Sequence, residues 1–161
     1  MSDALKTIYS SANLSHRYFD KTTPVDLFRG QKLSEFKEGK GILDPELVGW
    51  VRSDGVQRLA DVLVEEVNGQ KIVRGCRSVA GHFRGVSVFD RVPPFSKSSS
   101  WKCFQIPSGS KIPEALAVTK DAEARRGTSG IHFTIAPKDD MPLELFLVWL
   151  RALAESASEL T

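Results

Sequence analysis

Gly85-Val86-Ser87-Val88-Phe89-Asp90-Arg91-Val92 sets Val86, Val88 and Asp90 on one side of an extended chain and Ser87, Phe89 and Arg91 on the other. Successive strand side chains point to opposite faces, so this stretch reads as a β-strand with valines turned to a core. Its other face carries a hydroxyl and an aromatic ring. Outward from it lie further short strand candidates. Val25 to Arg29 is closed by Gly30, and Trp101 to Ile106 by Pro107-Ser108-Gly109; Ala115 to Thr119 and Ile131 to Ile135 are two more. Asp61 to Val67 and Gln70 to Arg74 flank Asn68-Gly69. That pair reaches positive φ readily, so it specifies a type I′ turn and a β-hairpin.

One element has a different period. Leu143, Phe146, Leu147, Leu150 and Leu153 recur at helical spacing, which predicts an amphipathic helix over about 141–158 packed against the sheet. Asp139 and Asp140 favour the dipole at its start, and Pro142 suits its first turn. Residues 31–60 contain Gly39-Lys40-Gly41, Asp44-Pro45 and Ser53-Asp54-Gly55, and read as loops with one or two short helices. Pro93, Pro94 and the Ser-Lys-Ser-Ser-Ser run at 96–100 read as a mobile loop. Residues 1–24, polar and mixed, read as a loosely attached N-terminal arm before a domain over 25–161.

At 161 residues the chain is one domain, and 41% hydrophobic content is enough for a real core. Its 22 basic and 20 acidic residues leave a net charge of +2, which argues against nucleic acid or an anionic membrane as principal partner. Cys76 and Cys103 show no CxxC spacing and read as two reduced thiols. Three histidines without an HExxH pattern make no zinc site. Neither GxGxxG nor GxxxxGK[ST] occurs, so a Rossmann or P-loop nucleotide site is not supported. The first residues lack the apolar run of a secretory signal, and no window approaches the roughly 20 apolar residues of a membrane span. The chain therefore reads as acting in a reducing compartment.

Three places could carry chemistry. Leu27-Phe28-Arg29-Gly30 puts an arginine at the end of an apolar strand. By motif alone a surface arginine is the commoner meaning; the functional meaning is a guanidinium that clamps a pyrophosphate bidentately. Ser87 has no basic neighbour in sequence and no GxSxG elbow, which argues against serine-hydrolase chemistry. His132 opens the strand His132-Phe133-Thr134-Ile135-Ala136-Pro137, where a lone histidine is more often structural. Residue chemistry alone describes an α/β domain and does not choose among these candidates.

Three blocks carry a resemblance. Gly85 to Arg91 matches G-[TV]-S-V-F-D-R; IPSGSKIPEALAVTKD, from Ile106 to Asp121, matches I-P-x-G-x-x-I-P-x-x-L-x-V-x-x-D; HFTIAPKDDM, from His132 to Met141, matches H-[YF]-T-I-x-P-x-x-x-M. Phe28-Arg29 matches an L-[YF]-R step near the family's N-terminus. The chain thus resembles the ADP-ribosyltransferase-like effector toxins of bacterial type VI secretion systems, which have bacterial and fungal relatives. The resemblance implies an α/β (α+β) fold of two small curved antiparallel sheets packed around an NAD cleft, with a C-terminal helix. It implies a toxin that acts in the cytoplasm, binds NAD, transfers ADP-ribose to a cellular target and arrests growth. It also implies delivery by type VI secretion and a cognate immunity or antitoxin protein. Carried over by position, Arg29 would contact a phosphate or the adenylate ribose. Ser87 would sit by the nicotinamide ribose with Phe89 as supporting aromatic, and Phe28 would flank the cofactor. His132 would take the third catalytic position, and no metal is implied. There is no [QE]-x-E motif on a strand, and Glu144, which the family also fills with Glu, begins the C-terminal helix. Two alternatives stand beside this: a toxin using the same fold as a binding module without NAD turnover, and an RNA-modifying relative.

Overall fold

A computed structural model describes residues 4–75, 85–122 and 130–160. Cys76 and His82 lie outside them. In chain order the elements are α1 (Ala4–Ser11), β1 (Tyr18–Phe19), β2 (Leu27–Lys32), α2 (Leu33–Lys37), β3 (Trp50–Val51), β4 (Gln57–Arg58), β5 (Val64–Val67) and β6 (Gln70–Val73). There follow β7 (Val86–Phe89), β8 (Trp101–Ile106), β9 (Leu116–Lys120), β10 (His132–Pro137), β11 (Met141–Pro142), α3 (Leu143–Ala154) and β12 (Ser158–Glu159). Every strand pairing among them is antiparallel.

The largest sheet runs β1-β9-β10-β7-β2-β8-β12, beside a three-stranded sheet β11-β6-β5 and a two-stranded ribbon β3-β4. The seven strands fall into two halves. β7 pairs with β10 over four register positions and β2 with β8 over six, but β7 meets β2 only at Phe28 opposite Phe89. The large sheet is thus nearly split along the β7–β2 seam. That is the form in which two antiparallel halves around a cleft appear here.

Alternation explains which face is buried. Val86 and Val88 of β7, Phe133 and Ile135 of β10, and Leu116 and Val118 of β9 join Phe146, Leu150 and Leu153 of α3 in one core. Full burial of each such side chain stabilises the fold by about 1.5–3 kcal/mol. Ala117 and Ala136, one step out of phase on β9 and β10, face the other way. They pack with Leu5 and Tyr9 of α1.

The hairpin at Asn68-Gly69 is present, with φ of 51° and 79° and Val67 opposite Gln70. Four expectations need correction. The N-terminal stretch is not loose: Leu5 and Tyr9 are buried, and Tyr18–Phe19 pairs with β9. The segment after Pro93 forms a 3-10 turn over Pro94–Lys97, with buried Ser96 donating from Oγ to the Pro93 carbonyl at 2.7 Å. Gly30 is required beneath it, because a Cβ there would lie 2.8 Å from Ser96 Cβ. The C-terminal helix covers Leu143–Ala154 rather than 141–158. Met141–Pro142 is spent pairing with β6, and Ser158–Glu159 pairs with β8 at the far edge of the large sheet. Leu147 is only partly buried, while Phe146, Leu150 and Leu153 are fully buried.

Candidate active site

A cleft of about 730 Å³ opens along the seam between the two halves. Arg29 and Gly30 of β2, Ser87 and Phe89 of β7 and His132 of β10 line it, so three widely separated sequence blocks meet in one place. The segment read as loops, residues 31–60, builds much of the remaining wall through Glu35, Glu46, Trp50 and Arg58. Phe28 is not among the lining residues; strand alternation sends it off β2 on the face opposite Arg29. Glu144 is exposed in the first turn of α3 and does not line the cleft either.

Arg29 follows from the β2 pattern, in which Leu27, Arg29 and Gln31 are buried and their neighbours only partly so. Gln31 is occupied structurally: its Nε2 donates to the Gly41 carbonyl at 3.3 Å, and its Oε1 accepts from the Leu43 amide at 3.2 Å. Arg29 instead turns into the seam. Its Nη1 donates to the Ser87 carbonyl at 2.9 Å, where a longer β2–β7 ladder would have run. Its Nη2 stands 3.9 Å from Asp61 Oδ2. Its Nε is buried and has no hydrogen-bond partner among the described residues.

The acids facing this arginine are themselves constrained. Asp61 Oδ2 accepts the Glu46 amide at 2.7 Å, and Glu35 Oε2 accepts the Lys32 amide at 2.7 Å. Burial pushes the pKa of both carboxyls up, and the Arg29 charge only partly offsets it. At the outer end, Lys32 Nζ lies 4.4 Å from the centroid of a Trp50 ring and 5.6 Å from that of a Trp101 ring.

Ser87 has the base that its sequence neighbourhood lacks. Its Oγ is 2.9 Å from His132 Nε2, and the Phe89 ring meets the imidazole edge-on at 5.3 Å. The other imidazole nitrogen, Nδ1, bonds Asp121 Oδ2. That carboxylate also accepts Thr134 Oγ1 at 2.6 Å on Oδ2 and Thr119 Oγ1 at 3.1 Å on Oδ1. Asp121 follows β9 directly, and its amide donates to the His132 carbonyl at 2.9 Å, so the two residues stand side by side on adjacent strands. Sequence reading gave Asp121 no role. The available signal was spacing: Thr119-x-Asp121 and His132-x-Thr134 each put two polar groups on one strand face.

Cys103 is buried, and burial pushes its thiol pKa up, so it behaves as a core thiol. Among the described residues no group of acidic, histidine or cysteine side chains is arranged to hold a metal ion. No helix among them is long and apolar enough to cross a membrane.

A family model described as Tse2 ADP-ribosyltransferase toxin matches residues 6–161. The chain belongs to that family. Members are ADP-ribosylating toxins that act inside cells, and NAD is the substrate from which the ADP-ribose comes. The Tse2 family match begins within α1, so it takes in most of the packed N-terminal helix and all strands of the cleft. No curated protein matches the chain.

Proposed function

We propose that NAD lies along the seam, with its pyrophosphate on Arg29, its nicotinamide ribose beside Ser87 and Phe89, and its adenylate toward Trp50. His132 takes the third catalytic position, and Glu144 takes no part. The observation that carries this reading is the convergence of Arg29, Ser87, Phe89 and His132 on one dinucleotide-sized cleft. The buried, unpartnered Arg29 Nε supports it further, because an unmade hydrogen bond there is restored by a phosphate oxygen. When bound, NAD supplies the labile bond between nicotinamide and ribose. The chain's own groups bind the phosphates, orient the ribose and hold a proton acceptor at His132 Nε2.

The toxin's immediate protein partner is an immunity or antitoxin protein in the producing cell, and its route to the target cell is type VI secretion. The test is growth arrest set beside NAD binding. Wild-type protein expressed without its protector stops growth, and folded Arg29→Ala and Ser87→Ala proteins do not. Folded variants that remain fully toxic, with no NAD binding by calorimetry in the wild type, would overturn this assignment.

A further inference from the structure

The hydrogen-bonded chain Asp121–His132–Ser87 has a direction. A carboxylate accepts hydrogen bonds only, so Nδ1 of His132 carries the proton that bonds Asp121 Oδ2. A neutral imidazole then has a bare Nε2, and the Ser87 hydroxyl 2.9 Å away donates to it. Thr119 and Thr134 both donate to Asp121, which fixes that carboxylate against rotation. The imidazole itself is 39% exposed at its side chain, so a molecule in the cleft can approach the Ser87 end of the chain.

We infer that Asp121 is a positioning residue for a proton relay through His132 and Ser87, and that the ADP-ribose acceptor is therefore a hydroxyl group. The inference rests on the proposed placement of NAD and adds to it the acceptor class. In the transfer, the bond between ribose C1 and the nicotinamide nitrogen breaks, and its electron pair leaves with neutral nicotinamide. The acceptor oxygen bonds C1. Its proton passes to Ser87 Oγ while the Ser87 proton moves to His132 Nε2, and Asp121 stabilises the imidazolium that results.

The relay suits some acceptors and not others. A hydroxyl sheds its proton readily once its oxygen bonds a carbon. A guanidinium is cationic with its nitrogen lone pairs delocalised, so it attacks a ribosyl cation only with a carboxylate beside it to offset its charge, which the Ser87 hydroxyl and His132 imidazole do not supply. Of the four carboxylates that line the cleft, Glu35 accepts the Lys32 amide, Asp61 accepts the Glu46 amide and Glu46 pairs with Lys40 at 2.9 Å; Asp121, on which the relay is built, is not one of the four.

The test uses the full chain with methanol and agmatine as hydroxyl and guanidinium probes. Wild-type protein given NAD and methanol yields the methyl glycoside of ADP-ribose alongside ADP-ribose from water, and agmatine is not modified. Asp121→Asn lowers kcat for nicotinamide release by roughly a hundredfold or more, with KM for NAD held within about twofold. A readout independent of turnover is the imidazole nitrogen NMR spectrum without NAD. The wild type shows His132 protonated at Nδ1, and Asp121→Asn shifts the tautomer toward Nε2–H. ADP-ribosyl-agmatine as the main product, or a wild-type His132 protonated at Nε2, overturns the relay while the NAD site stands. No nicotinamide release by wild type under any condition overturns the NAD placement and the relay together.

Discussion

Arg29 and Asp61 face each other inside the cleft, with Nη2 3.9 Å from Oδ2. The contact is long for an ion pair, and burial outweighs it: the Asp61 pKa is raised despite the arginine. A carboxyl raised on folding contributes stability below its unfolded pKa of about 3.9 and loses it as pH rises through the folded value. Desolvation of the part-buried Asp61 carboxylate therefore costs stability once pH has risen past that value. Asp61→Asn keeps an oxygen for the Glu46 amide and removes that charge. The expected outcome is a higher melting temperature than wild type at neutral pH, with the gap closing by about pH 4. The same substitution frees Arg29 for an incoming anion, so calorimetry should show tighter NAD binding. A lower melting temperature at neutral pH would mean that the ion pair outweighs desolvation.

Arg29→Lys separates charge from shape. Lysine keeps the charge but loses the planar fork that donates to the Ser87 carbonyl and, in the proposed placement of NAD, to a phosphate together. Loss of a charge-assisted hydrogen bond costs about 1.5–3 kcal/mol, or roughly ten- to hundredfold in NAD affinity. Equal affinity of the lysine variant and wild type in calorimetry would show that charge alone holds the pyrophosphate.

The α3 helix should be structural, and its two faces give opposite results. Phe146 is fully buried, so Phe146→Ala should cost about 3–5 kcal/mol in denaturant melts. Leu145 is 43% exposed on the other side, and Leu145→Ala should fall within about 0.5 kcal/mol of wild type. A large cost at Leu145 would contradict the orientation of the helix.

Gly85 is tied to β10 by close approach rather than by an unusual backbone angle. A Cβ there would lie 2.0 Å from the Ile135 carbonyl oxygen and 2.8 Å from the carbonyl carbon. Backbone cannot yield as a flexible side chain can, so Gly85→Ala should push β7 away from β10 and pull Ser87 off His132. Both stability and nicotinamide release should fall. A stable, fully active alanine variant would show that this strand start is looser than it stands here.

Much of the fold was legible because its signals are local. Asn68-Gly69 states its own turn, the valines of β7 state their own face, and Trp101 to Ile106 is bounded by its own breakers. The errors came where distant chain decides. Ser158–Glu159 carries no strand pattern and pairs only because β8 offers an open edge. Ser96 is held by the Pro93 carbonyl and the space above Gly30, so its serine-rich neighbourhood misled. At the site, Arg29, Ser87 and His132 could be named from the family blocks, but not their partners. Asp121 acquires its role only when β9 and β10 lie in register, and Asp61 only when residues 31–60 fold back over β2.

The strand order also gives the protein a timetable. β2 is translated early but lies between β7 and β8, and His132 comes later still. A ribosome adding about 5–20 residues per second needs roughly five to twenty seconds to travel from Arg29 to His132. Throughout that interval β2 lacks one or both of its neighbours in the sheet, or the β10 strand that carries His132, so the cleft is not assembled. The immunity protein proposed above would meet a complete site only once β10 has emerged.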